Sequence, residues 1–360
     1  MHKNNFDFLR LCFALFVIIT HSFVLVGADN DGLATLTHGQ INFSGLGVQG
    51  FFVISGYLIF ESLLRSKNWF DYMIKRVLRI FPALIVVLIV SFFIGMVFTD
   101  EHVKEYLLDK TAWSYIYNNV AIFRPIQYRI DNVFAHNPLP HSINGSLWTI
   151  PYEFLFYIIL SLAFVVRKWR TLMVVGFAGL FCVLLYEKNK YAAQPEIWLP
   201  PTGYELKSLI HFALYFTAGS MLACMNISGF KFKKHLLVVA LIGVIALLML
   251  QKFTFAQYIL VPVVIISFGS LSTKGIAGLN KRIGDLSYGV YLFGFPIQQT
   301  LIHLFHPTAY QLIIASMVGA IICGALSWHL IEKKALELKK YFPQQFKDRV
   351  KKTAPQPVEL

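Results

Sequence analysis

Phe8 to Gly27, FLRLCFALFVIITHSFVLVG, is an unbroken apolar run that carries an arginine and a histidine. Twenty residues at about 1.5 Å each make a helix of roughly 30 Å, the thickness of a bilayer's hydrocarbon core. Arg10 lies near its entry end and His21 about two thirds of the way along. Eleven positions are close to three turns, so both project from one face, about 16 Å apart. Ionisable groups at such depth are costly in lipid and normally face a protein interior or a watery cavity. The stretch is too long for a signal-peptide core and has no small-x-small cleavage site after it, so a retained span is expected.

The rest of the chain fits that start. Of 360 residues, 56% are hydrophobic and 14% charged, and the mean hydropathy is +0.59. These values exclude an ordinary soluble domain and indicate an all-α, polytopic membrane protein. Ten spans are expected, at about 8–27, 46–64, 80–98, 147–166, 171–187, 206–226, 235–251, 257–272, 284–305 and 310–331. With the N-terminus in the cytoplasm, 24 Lys and Arg fall on the inner side and 8 on the outer, which accounts for all 32. That positive-inside bias explains the net charge of +13 without a nucleic-acid partner, and it returns the C-terminus to the cytoplasm. Membrane lipids are the expected surroundings. Residues 1–338 form one membrane domain, and the basic segment 339–360 is expected to be a disordered tail. Cys12, Cys182, Cys224 and Cys323 lie in spans without metal or redox spacing, so they are expected to pack, and no metal is expected.

Several stretches add chemistry. Gly45, Gly47 and Gly50 spell GxGxxG, but no βαβ unit surrounds them, so a dinucleotide site is not indicated. Small residues there, continued by Ser55 and Gly56, suit close approach of a helix or of a slender ligand, and Ser55 joins the candidate binding residues. In DYMIKRVLRIFP, Arg76 and Arg79 share a helical face at the inner boundary, a fork suited to phosphate. Thr99–Gly145 is the longest outer segment. A short amphipathic helix is expected at Glu101–Tyr117, followed by a Pro- and Asn-rich loop in which His136 and His141 are surface residues. In SLWTIPYEFLFY, Glu153 lies at about the depth of His21 and could orient it as an acid/base pair. Trp148, Tyr152 and Tyr157 fit an interfacial belt. His211 and Tyr215, one turn apart, could line a cavity but are more simply packing residues; Pro296 is expected to kink the ninth span, and Glu332 to pair with nearby lysines.

Taken together, FDFLRL…ITH, GVQGFFVISGYLI, KRVLRIFP, SLWTIPYEFLFY, GDLSYGVYLF and the terminal SWHLIEK resemble the bacterial acyltransferase family 3, the polytopic membrane O-acyltransferases, from Phe6 to about Leu338. Two positions depart from it: Gly294 stands where many relatives carry His, and Lys334 where many carry Pro. The resemblance implies acetyl-CoA as cytoplasmic acyl donor and a carbohydrate acceptor outside, a surface polysaccharide, lipopolysaccharide or lipid-linked oligosaccharide. It also implies an inner-membrane enzyme in which His21, Arg10, Arg76 and Arg79 are functional. Some relatives carry a further soluble hydrolase-like domain; here acceptor recognition is expected from outer loops. His21 would act as general base or as a transient acyl carrier. The alternative is a secondary transporter of a small anionic or sugar substrate, which would more often show paired repeats with interrupted helices.

Overall fold

The computed structural model describes residues 4–28, 30–276 and 283–341. A helix stands at each of the ten expected places, numbered in chain order: α1 Phe6–Leu25, α2 Phe43–Arg65, α3 Trp69–Val97, α4 Ile150–Leu162, α5 Arg170–Tyr191, α6 Leu206–Cys224, α7 Lys233–Met249, α8 Leu260–Gly269, α9 Ser287–Phe305 and α10 Ala309–Ser327. Among the described residues, six helical stretches are long and apolar enough to cross a membrane: α1, α2, α3, Gly145–Leu162, α5 and Ala309–Lys340. The last of these continues α10 through a π-helical turn, Trp328–Glu332, into further helix up to Lys340. Residues 342–360 of the expected tail, and the basic pair Lys281 and Arg282, lie outside the described residues.

Helix α2 lies between α1 and α6, and its small residues explain why. A Cβ on Gly56 would stand 2.0 Å from the Phe216 carbonyl oxygen, and one on Gly219 of α6 would stand 2.1 Å from that of Val53. On the other side, a Cβ on Gly47 would come within 2.6 Å of the Phe13 carbonyl, and one on Gly50 within 2.2 Å of the Phe13 ring. Backbones this close are the small-residue packing typical of membrane helices. The GxGxxG is thus a helix-packing face. Gly294 does the same from α9, where a Cβ would press on Ile18 at 2.9 Å.

Polar side chains fix the helix ends. Asn42 and Asn68 accept from the backbone amides of Gly45 (2.6 Å) and Asp71 (2.7 Å), capping α2 and α3. The buried Asp31 carboxylate ties the loop between α1 and α2 to both helices, accepting from the Thr20 hydroxyl on α1 and from the Phe43 amide of α2 at 3.0 Å. The amphipathic helix expected over Glu101–Tyr117 is instead two helices, Val103–Leu108 and Lys110–Val120. Asp109 divides them: its backbone is extended and its carboxylate caps the second helix through the Thr111 amide at 2.9 Å. Helix α5 has few inward residues, and Leu172, Val175, Leu180 and Val183 are exposed on it, as a lipid-facing helix requires. Of the cysteines, Cys224 is buried and Cys182 is exposed on α5.

Candidate active site

A charged knot closes one end of the bundle. It forms where α9 begins, and Gly284, at φ +80°, is needed there because a Cβ would overlap the Trp328 indole nitrogen at 2.0 Å. Asp285 follows, with Oδ1 accepting from the Ser287 amide (3.3 Å) and hydroxyl (2.5 Å). Its Oδ2 accepts from Arg79 Nη2 at 2.6 Å and from Arg10 Nη1. Arg79 Nη1 reaches Glu332 Oε2 at 3.2 Å, and Glu332 Oε1 accepts from Ser327 Oγ at 2.8 Å. The Arg79 guanidinium carbon also lies 5.6 Å from the Tyr288 ring centroid. The two arginines and Asp285 are only 12–16% exposed and Glu332 is 1% exposed. Two guanidiniums and two carboxylates thus meet in a low-dielectric site, with the Asp7 carboxyl close enough to interact with Asp285, Arg10 and Arg79.

This arrangement corrects two expectations. Arg76 and Arg79 do not act as a free fork, because Arg79 is held by Asp285 and Glu332. Glu332 pairs with Arg79, not with nearby lysines: the π-helical turn that ends in it carries its side chain inward. Arg76 is the member left available. It donates from Nη2 to Ser62 Oγ at 3.1 Å, its guanidinium lies 5.7 and 5.8 Å from the Tyr72 and Tyr157 ring centroids, and its buried Nε has no partner. Arg76 lines a cavity of about 340 Å³ with Arg10, Ser55, Ser62, Lys75 and Lys339. Lys75 is paired with Asp71, whereas Arg76 and Lys339 have no carboxylate partner among the described residues. The cavity therefore carries a positive surplus, and its orphaned Nε–H suits a phosphate-bearing guest.

The second cavity, about 510 Å³, lies toward the opposite ends of α1 and α2. Val17 and His21 of α1, Gln49 of α2, Trp148, and His211 of α6 contribute to its wall. The His21 ring meets Phe295 edge-on at 5.4 Å and makes no protein hydrogen bond among the described residues. Its backbone is held in place, since Gln298 Nε2 donates to the Ile18 carbonyl (2.9 Å) and to Ser22 Oγ (2.7 Å) one turn below. A neutral imidazole placed so can accept a proton from a guest hydroxyl.

Between the two lies a neck of about 30 Å³ lined by Arg10, Phe51, Glu153, Tyr288 and Tyr291, among others. It shares Tyr291 with the His21 cavity and Arg10 with the Arg76 cavity. The Tyr291 hydroxyl is 2.6 Å from Thr149 Oγ1, and the 3-10 turn Gly145–Thr149 that presents Thr149 is anchored by buried Asn144, which donates to the Leu292 carbonyl at 3.0 Å. Arg10 and His21 thus share a cavity-facing side of α1, as their spacing requires. Glu153 and His21 do not meet. Glu153 Oε1 accepts from Ser55 Oγ at 2.6 Å and from the Tyr157 hydroxyl, and no ion pair or hydrogen bond joins it to His21 among the described residues. Matching depth by residue count fixes height along the membrane but not the direction a side chain takes around its helix.

The wall of the His21 cavity also takes in Trp148 and His211. Trp148 stands there 5.4 Å from the Phe212 ring. His211 lines the same cavity, with Nδ1 2.7 Å from the Tyr258 hydroxyl. Asp285 is visible in the sequence only as a member of the GDLSYGVYLF motif. Among the described residues no group of three or more His, Cys, Asp or Glu is arranged to hold a metal.

A polytopic helical bundle with a buried arginine–carboxylate knot and a histidine free in a cavity defines a helical membrane protein with internal cavities. The chain belongs to the acyltransferase-3 family, whose acyltransferase-domain sequence model matches residues 3–329. An O-acetyl transferase of Shigella phage Sf6 is 32% identical over 350 residues, covering 93% of this chain and 97% of the relative. Nodulation protein 10 of Rhizobium leguminosarum bv. viciae is 29% identical over 367 residues, covering 94% of each. The O-acetyltransferase OatA of Staphylococcus aureus is 31% identical over 141 residues, 35% of this chain and 21% of the relative. No solved structure matches. Family and relatives together make the chain an O-acetyltransferase.

Proposed function

We propose that this enzyme takes an acetyl group from acetyl-CoA on the cytoplasmic side and delivers it to a hydroxyl of a cell-surface or lipid-linked glycan on the outer side of a bacterial inner membrane. The observation that carries the proposal is the run of three adjoining cavities, from the cationic one at Arg76 through the neck to the one at His21. Arg10 and His21 are about 16 Å apart along α1, a span an extended pantetheine arm can bridge. Arg76 holds the donor phosphates, aided by Lys339, while Arg10 and Arg79 keep the cavity's shape through the knot. Ser55, on the cavity wall, borders the path of the arm.

His21 removes the proton of the acceptor hydroxyl as its oxygen attacks the thioester carbonyl carbon. The carbon–sulfur bond then breaks, and the imidazolium returns its proton to the departing thiolate. Glu153 contributes from the neck by holding Ser55 and Tyr157. Ten crossings with both termini in the cytoplasm give this direction of transfer, in keeping with the split of basic residues.

The test is His21→Gln in the purified enzyme, reading free thiol released from acetyl-CoA in the presence of acceptor glycan. Gln keeps hydrogen-bonding capacity and much of the volume but cannot act as a base. A loss of about a hundred- to ten-thousand-fold is expected, with acetyl-CoA still bound. Substantial turnover in the Gln variant would remove His21 from the chemistry.

A further inference from the structure

The wall of the His21 cavity is one-sided in charge. It contains Lys188, Lys207, His21 and His211 and no aspartate or glutamate. The neighbouring Lys190 is paired with Glu187, but Lys188 and Lys207 have no carboxylate partner among the described residues. Lys188 Nζ stands 5.1 Å from the Tyr258 ring centroid, and Lys207 Nζ donates to the Ala192 carbonyl at 3.3 Å. Glu205 makes no ion pair with either. Its two carboxylate oxygens accept from the backbone amides of Lys207 (2.8 Å) and Ser208 (2.5 Å), capping α6. Two of the eight basic residues assigned to the outer side thus line this one cavity with donors to spare.

A second observation points to a guest. Gln49, 9% exposed, belongs to the same wall; its Nε2 is 3.5 Å from His211 Nε2, and its buried Oε1 has no partner. A buried carbonyl oxygen without a donor is an unfavourable arrangement that a sugar hydroxyl would relieve. Trp148 adds a partly exposed aromatic face against which a sugar ring can lie.

We propose that the His21 cavity selects an acceptor bearing an anionic group. Lys188 and Lys207 hold the anion at the mouth, Gln49 Oε1 accepts from a sugar hydroxyl, and another hydroxyl is presented to His21. The anion is the carboxylate of an acidic sugar or the diphosphate of a lipid-linked one. The proposal rests on acyl transfer at His21 only for the fate of that last hydroxyl; the anion site stands on its own geometry.

The test uses the full chain in lipid nanodiscs. Binding is measured for uronate-containing oligosaccharides, for the same oligosaccharides after carboxyl reduction, and for a neutral sugar linked to farnesyl diphosphate beside the free sugar. An anionic ligand is expected to bind about tenfold or more tightly than its neutral counterpart, with the preference falling as salt rises. The double variant Lys188→Gln/Lys207→Gln should abolish the preference, and Lys188→Arg/Lys207→Arg should keep it. A uronate preference assigns the carboxylate, and a diphosphate preference assigns the lipid-linked acceptor. Equal binding of anionic and neutral ligands, or a preference unmoved by the Gln pair, overturns the proposal. Thiol release is read in parallel: release with neutral acceptors and no lysine dependence leaves acyl transfer standing and this proposal refuted. Lysine-dependent anion binding without thiol release does the reverse.

Discussion

Asp285→Asn is the sharpest probe of the charged knot. The substitution keeps size and shape, and the amide oxygen can still accept from Ser287, but two guanidiniums, Arg10 and Arg79, then face one carboxylate, Glu332. All four side chains are at least five-sixths buried, so solvent does little to screen the surplus charge. Removing one partner of a buried pair costs about 3–5 kcal/mol, and the retained hydrogen bonding places this case near 3. At roughly 2 °C per kcal/mol for a chain of this size, the unfolding midpoint should fall by about 5 °C or more. The assay is thermal unfolding of the detergent-solubilised enzyme, followed by tryptophan fluorescence. Adding Arg10→Gln removes the surplus charge, so the double variant should recover on the order of 1 kcal/mol relative to the sum of the single losses. An Asp285→Asn protein that melts with the parent, or a double variant whose losses simply add, would refute the account of the knot.

Three other outcomes follow from the geometry. Arg76→Ala should weaken acetyl-CoA binding by about tenfold or more in a titration and lower the midpoint less than Asp285→Asn does, because it ends no ion pair and one hydrogen bond, to Ser62; unchanged affinity would leave Arg76 as packing. Gly56→Ala should destabilise the helix core by several kcal/mol, given a Cβ 2.0 Å from a carbonyl oxygen, whereas Gly179→Ala, with open space around it, should be neutral or stabilise by up to about 1 kcal/mol. Equal midpoints for the two would count against close α2–α6 packing. Single cysteines at Asn132 and Lys168 in a cysteine-free background should react with an impermeant thiol reagent on intact cells only at Asn132; the opposite pattern would invert the proposed direction of transfer.

What the sequence revealed and what it hid divide along one physical line. Periodicity and hydropathy act within a single helix, so the face shared by Arg10 and His21, and the helices themselves, could be read from spacing. Partners between helices could not. Asp285 is 275 positions from Arg10, and Glu332 is 253 from Arg79, and no local pattern links residues so distant. Arg79 therefore looked like a free phosphate ligand, while its neighbour Arg76 was the one with donors to offer. Glu153 failed as a partner for His21 for a related reason, since counting residues gives depth but not azimuth. Asp109 was legible in principle: an aspartate preceding a new apolar pattern is a capping signal, and it divides the outer helix where one continuous helix was expected.

The neck between the cavities has an electrical consequence. About 30 Å³ is room for about two waters, and it is walled by the rings of Phe51, Tyr288 and Tyr291, the last held to Thr149 by its hydroxyl. Such a constriction, with Arg10 and Glu153 also on its wall, leaves no more than about two waters between the two chambers, too few to carry a hydrated ion through. A protein with a cavity toward each end of the same helices can then sit in a membrane without passing hydrated ions from one to the other. Only a thin, mostly uncharged chain threaded through the neck would join the two compartments, and it would fill the opening as it did so.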